Sequence, residues 1–125
     1  MKKFNSVVAV LVFAVFAVFL AVEGAEAFCI YNNTDAQISV EQTSGHKKTH
    51  GFVGRINPGD NKCCNWQNSD CNKEGKKDST VRFGVSYKFA GGELPQIICK
   101  DFPIKAGGWL TVEGSDVKYK CVAHE

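Results

Sequence analysis

Between Thr80 and Phe89 apolar and polar residues alternate without a break. Val81, Phe83, Val85, Tyr87 and Phe89 fall on one face, and Arg82, Gly84, Ser86 and Lys88 on the other. A period of two marks a half-buried strand, because successive side chains of an extended chain point to opposite sides. The same beat sets Ala36, Ile38 and Val40 inward against Gln37, Ser39 and Glu41. It returns near the end, where Val117, Tyr119, Cys121 and Ala123 alternate with Lys118, Lys120 and Val122. Shorter apolar runs at Phe28–Asn32, Gly51–Ile56, Gln96–Lys100 and Trp109–Glu113 bring the expectation to about seven strands. The joints carry turn chemistry, clearest at Asn57-Pro58-Gly59-Asp60, where proline presets φ and glycine accepts φ > 0. No helical period survives beyond the amino-terminal run. The pattern predicts an all-β fold, a small antiparallel β-sandwich of about seven strands stapled by disulfides.

The amino end reads differently. Met1-Lys2-Lys3 is basic, residues 7–22 are an unbroken apolar run, and Ala25-Glu26-Ala27 gives the small residues a signal peptidase needs. The run falls short of the ~20 apolar residues of a bilayer span, and no basic cluster stops its transfer. Residues 1–27 are therefore expected to be a signal peptide. Residues 28–125 form a single domain that is secreted and extracellular.

All six cysteines, Cys29, Cys63, Cys64, Cys71, Cys99 and Cys121, follow that cut. An even count in a small exported chain predicts a disulfide framework. Zinc sites favour C-x2-C pairs, which are absent here. Neighbours in a strand face opposite ways, so Cys63 and Cys64 cannot share a partner. Cys71 is near enough to close a short loop with either, and Cys64–Cys71 is favoured over Cys63–Cys71; a Cys29–Cys121 bridge would close the longest loop. Sequence alone leaves the pairing open.

A net charge of +2, with lysines interleaved by acids, argues against nucleic acid as a partner, since that binding needs a basic face. Asp70-Cys71-Asn72-Lys73-Glu74-Gly75 imitates the first half of a calcium loop, but Val81 stands where its bidentate glutamate belongs and three lysines oppose a cation. No metal or other cofactor is expected. His46, His50 and His124 could run acid–base cleavage of RNA only if they converged on a cleft. Asp70 with Glu93, or Glu41 with Asp101, could be paired acids of a glycosidase; among so many acids such pairs carry almost no information. No nucleophile elbow is present. The expectation is a protein without catalytic residues.

Recognition has better candidates. Trp66, Trp109 and Tyr31 lie beside turn sequences, and aromatics at strand ends can stack on sugars or enter a lipid interface. The plainer alternative is that they fill the core. Asn32-Asn33-Thr34 is a glycosylation sequon, which would place a glycan on Asn32 and that strand end on the surface.

Phe28-Cys29-Ile30-Tyr31-Asn32, Ile56-Asn57-Pro58-Gly59, Cys63-Cys64-Asn65-Trp66 and Asp70-Cys71-Asn72 together resemble a group of small secreted cysteine-rich proteins of early-diverging, mucoromycete-type fungi. The likeness covers about the first half of the domain and implies secretion and a compact β fold, with no catalytic residues to transfer. At the level of fold alone, the Ile-x-Pro-Gly turn followed by cysteines is also similar to β-sandwich defence and cytolysin-like proteins. The functional expectation is a non-enzymatic binding protein, an effector or lectin-like module whose partner is an extracellular glycan, a membrane or a host protein. The alternatives are a small secreted hydrolase such as a ribonuclease, and a structural coat protein.

Overall fold

The computed structural model describes residues 27–47, 51–89, 91–92 and 94–125. The expected signal segment through residue 26, His50 and Glu93 lie outside the described residues. Eight strands follow in order: β1 (Ala27–Thr34), β2 (Ile38–Ser44), β3 (Val53–Ile56), β4 (Asn61–Asn65), β5 (Thr80–Tyr87), β6 (Gln96–Lys105), β7 (Trp109–Ser115) and β8 (Lys118–His124). They form two four-stranded sheets, a first of order β4-β1-β7-β8 and a second of order β3-β2-β5-β6.

The inward faces supply the core. Phe28 and Ile30 of β1, Ile38 and Val40 of β2, Ile56 of β3, Val81, Phe83 and Val85 of β5, and Leu110 and Val112 of β7 are all buried. At its centre the ring of Phe28 meets Phe83 at 5.5 Å and Phe52 at 6.0 Å, and Phe52 meets Phe83 edge-on at 5.9 Å. Such edge contacts suit the aromatic quadrupole. Phe89, expected on the same face as Phe83, lies past the end of β5 and is 44% exposed.

Three features differ from the sequence expectation. The pairing of β1 with β7 is parallel, from Cys29 opposite Trp109 to Thr34 opposite Gly114, while the other pairs are antiparallel. These two strands are far apart in the chain, so no hairpin dictates their direction. An eighth strand, Asn61-Lys62-Cys63-Cys64-Asn65, occupies an edge and is mostly exposed. Backbone pairing and disulfides hold it, so it carries no apolar period to read. Finally, β6 continues to Lys105. Opposite the core-facing Val85, Phe83 and Val81 stand Cys99, Phe102 and Ile104, a spacing of three and then two. The irregular stretch around Asp101, at φ 49°, re-phases the strand and hides its period.

The bridges are Cys29–Cys63, Cys64–Cys71 and Cys99–Cys121. Cys64–Cys71 is as expected, and the two adjacent cysteines do serve different partners. The considered Cys29–Cys121 bridge is not made. Cys29 alternates with buried Phe28 and Ile30 and so faces outward, directly opposite Cys63, whereas Cys121 pairs with core-facing Val112 and faces β6. One flank of the sandwich is thus closed by Cys99–Cys121 and the other by the 57–60 turn, which carries the chain from β3 into β4. Gly59 adopts φ 82° there, as the turn sequence requires.

Candidate functional site

The outer face of the first sheet presents three rows of side chains. The first runs Cys63, Cys29, Trp109, His124 across β4, β1, β7 and β8; the second runs Asn61, Tyr31, Thr111, Val122. Beyond the end of β4 the third is Asn33, Glu113, Lys120. Trp109 and Tyr31 therefore sit on neighbouring strands as diagonal neighbours of one face. They are 39% and 37% exposed. Two of the three aromatics singled out in the sequence share one face.

Trp109 is backed by a chain of contacts. The imidazole of His124 stacks on the Trp109 indole with centroids 5.0 Å apart and planes 6° from parallel. Its Nε2 lies 2.9 Å from the Thr111 hydroxyl, which in turn donates to Glu113 Oε1 over 3.1 Å. A hydroxyl has one hydrogen; given to Glu113, it leaves the oxygen to accept from His124 Nε2–H. That direction is the reverse of a nucleophile activated by a base, in which the histidine would accept the hydroxyl proton. Thr111 is moreover buried beneath its neighbours. The chain fixes the ring that backs Trp109.

Trp66 stands apart from these rows. It is half-buried in the loop after β4, closed by Cys64–Cys71, and its carbonyl accepts from Asn72 Nδ2 over 2.7 Å. Asn72 also donates to Lys76 O and accepts from Ser79 Oγ, so the residue that would be a calcium ligand organises the loop instead. Among the described residues no three potential ligand side chains gather as a metal would need. His46, half-buried with Nδ1 unpartnered, lies in the loop between β2 and β3, whereas His124 belongs to the first sheet.

Asn32, the asparagine of the sequon, lies inside this fold rather than on its surface. Its side chain is wholly buried, and Nδ2 gives its two hydrogens to Ala36 O at 2.8 Å and Ile56 O at 2.9 Å. Oδ1 accepts from the Thr34 amide and, over 2.6 Å, the Thr34 hydroxyl. The two sequon residues serve as an internal polar staple.

The second sheet's outer face holds a shallow trough of about 500 Å³. Ser39, Gly84 and Ser86 keep its floor low, Val53 and Ile97 rise on either side, and Glu41, Arg55 and Lys100 bring charge to it. Alternation sets Ser39, Glu41 and Ser86 outward, but the trough needs small residues on adjacent central strands, a pairing the sequence does not reveal. Equally unforeseen is the link between two turns, in which Tyr119 Oη donates to Asp35 Oδ1 over 2.5 Å and the Asp116 amide donates to Oδ2 over 3.1 Å. The phenol and the amide hold the Asp35 carboxyl below its ordinary pKa, and the carboxylate pushes the Tyr119 phenol up.

No protein-family model, curated protein or solved structure matches the chain.

Proposed function

We propose that the protein is a secreted, non-enzymatic binding module of lectin-like or effector type, and that its first sheet takes an extracellular glycan. One observation carries this reading: Trp109 and Tyr31 are exposed together on one face of paired strands. A sugar ring offers an apolar C–H face and a rim of hydroxyls. The exposed aromatic surface meets the first, and Asn33, Asn61, Glu113 and Lys120 can meet the second. Because the His124 stack and the Thr111 hydrogen bonds already fix Trp109, little side-chain freedom is lost on binding.

Secretion accords with three disulfides and with the sequence of the first 27 residues. No helix among the described residues is long and apolar enough to cross a membrane. The hydrolase alternative would draw on His46, His50 or His124; of the described two, His124 is stacked on Trp109 and bonded to Thr111, and His46 stands in the connection between β2 and β3. The trough favours a second reading, a pocket for a small ligand with both apolar surface and charge, since its volume lies in the range of such sites.

The test is co-sedimentation of the oxidised protein with insoluble chitin and β-glucan, alongside Trp109→Ala and Tyr31→Ala. Pelleting that falls at least about tenfold in either variant, with the melting temperature kept, supports the reading. Absence of pelleting with both polymers, or variants that pellet like the parent, ends it.

A further inference from the structure

The trough on the second sheet lies over β2 and β5, and the strand register orders its floor and walls. One row across the sheet runs Arg55, Ser39, Ser86, Ile97. The next runs Val53, Glu41, Gly84, and Lys100 falls in the irregular stretch of β6 opposite Gly84. Each wall therefore holds one apolar side chain and one cation, Val53 and Arg55 on β3, Ile97 and Lys100 on β6. Val53 and Ile97 are 72% and 71% exposed, so both walls offer open apolar surface. None of Ser39, Ser86, Glu41, Arg55 and Lys100 commits its side chain to a hydrogen bond or ion pair with another described residue.

Gly84 is the most telling of these positions. It stands in the middle of a central strand, where glycine costs stability and gives its neighbours nothing to pack on. Neither backbone nor packing asks for it. Its φ is not positive, and a Cβ there would meet nothing nearer than Thr43 Cγ2 at 3.7 Å. The extra residue of the β5–β6 irregularity lies on β6, between Cys99 and Phe102, and not on β5. A strand glycine with no bulge of its own marks a place where something approaches the backbone closely.

We propose that the trough binds a small organic anion, a monocarboxylate with an apolar body. This rests on the second reading above, in which the trough is a ligand pocket, and adds the chemistry of the ligand. Arg55, Ser39 and Ser86 stand side by side in one row, so a guanidinium fork and two hydroxyls can donate to one carboxylate. Ile97 and Val53 then flank the apolar body. The charge of the sheet favours an anion, since its four strands carry Arg55, Arg82, Lys100 and Lys105 against Glu41 and Asp101. Glu41 in the neighbouring row holds the ligand to a single charge, because a second carboxylate or a phosphate dianion would face its own carboxylate. No aromatic stands among the described lining residues, so a sugar ring finds no stacking partner here, unlike on the first sheet. A concavity of about 500 Å³ suits a ligand of this size.

The oxidised protein is titrated in a calorimeter with 2-naphthoate and with its uncharged counterpart 2-naphthamide. Saturable one-to-one binding of the naphthoate is expected, at least about tenfold tighter than that of the amide, the effect of a charge-assisted hydrogen bond. Arg55→Gln should lose about the same factor. Gly84→Val should abolish binding by filling the floor, while its melting temperature does not fall. Glu41→Gln should instead tighten binding, a gain that a damaged fold cannot give. Equal affinity for the two probes would overturn the anion and leave the pocket standing, whereas failure of both probes would overturn both. Arg55→Gln and Gly84→Val variants that bind like the parent, or weaker binding by Glu41→Gln, would also overturn the proposal.

Discussion

The Thr34 hydroxyl donates to Asn32 Oδ1 over 2.6 Å, both groups buried where β1 runs into its turn. Around it Asn32 satisfies two carbonyls and an amide, so one side chain joins β1, the 35–37 turn and the end of β3. Gln42 does the same elsewhere, donating to Ser44 O and Cys71 O and accepting from the Phe52 amide. Together with Asn72, these buried amides hold the connections on which the exposed faces depend.

Replacing Asn32 tests that arrangement. Asn32→Asp keeps the shape but turns an oxygen toward two carbonyls. It should cost more than about 3 kcal/mol in chemical denaturation, since several buried groups lose their partners at once. The mass of the protein recovered from a eukaryotic secretory host should show no glycan at Asn32. A fully occupied sequon on folded protein would mean that this strand end is open rather than buried.

The Asp35–Tyr119 bond makes a prediction about pH. Asp35 is held below its ordinary value, so its contribution is complete above the usual carboxylate range near pH 4 and fades as the pH falls through the lower folded value. Tyr119 is raised, so its contribution is complete below about pH 10 and is lost as the pH climbs through the higher folded value. In an ultraviolet titration of native protein, one of the three tyrosines should therefore form phenolate late. Asp35→Asn should bring that step back toward the ordinary range; an unchanged curve would show that the bond does not persist in solution.

Phe83 and Phe89 separate core from surface on what the sequence marks as one face. Phe83 is fully buried between Phe28 and Phe52, and Phe83→Ala should cost about 3–5 kcal/mol. Phe89→Ala should stay within about 1 kcal/mol, because the ring is 44% exposed and rests chiefly on Tyr87. Equal effects from urea denaturation would contradict the end of β5 at Tyr87.

Legibility in this chain follows how much of each element's stability is written in its own side chains. In β5 every second residue is buried against the opposite sheet, so alternation alone located Val81, Phe83 and Val85. In β4 the backbone and two cysteines make the contacts, and the sequence between Asn61 and Asn65 looks like loop. In β6 the irregularity at Asp101 breaks the phase, and Phe102 and Ile104 were lost from the core. Tyr31 and Trp109 could be suspected from their places beside turns. Their meeting depends on a parallel pairing of β1 with β7 across the length of the domain, which no local pattern records. Asp35 and Tyr119 are separated still further and become neighbours only because the connections at that end converge.

The disulfides set the last prediction. In the chain-entropy picture Cys29–Cys63, Cys99–Cys121 and Cys64–Cys71, with separations of 34, 22 and 7 residues, contribute about 4, 3 and 2 kcal/mol. Those values rival the 5–15 kcal/mol of net stability typical of a domain. Full reduction should therefore lower the melting temperature by tens of degrees, at roughly 4–8 °C per kcal/mol for a domain of this size. The two long bridges also differ in what they leave behind. Without Cys29–Cys63, β1 and β4 remain joined by their backbone ladder, whereas Cys99–Cys121 is the covalent tie between the two sheets at the β6–β8 flank. A Cys99→Ala, Cys121→Ala variant should accordingly lose at least as much stability as Cys29→Ala, Cys63→Ala, although its loop is shorter. If calorimetry ranks them strictly by loop length, unfolded-state entropy alone governs. The reverse ranking would show that closing the flank adds native-state stability of its own.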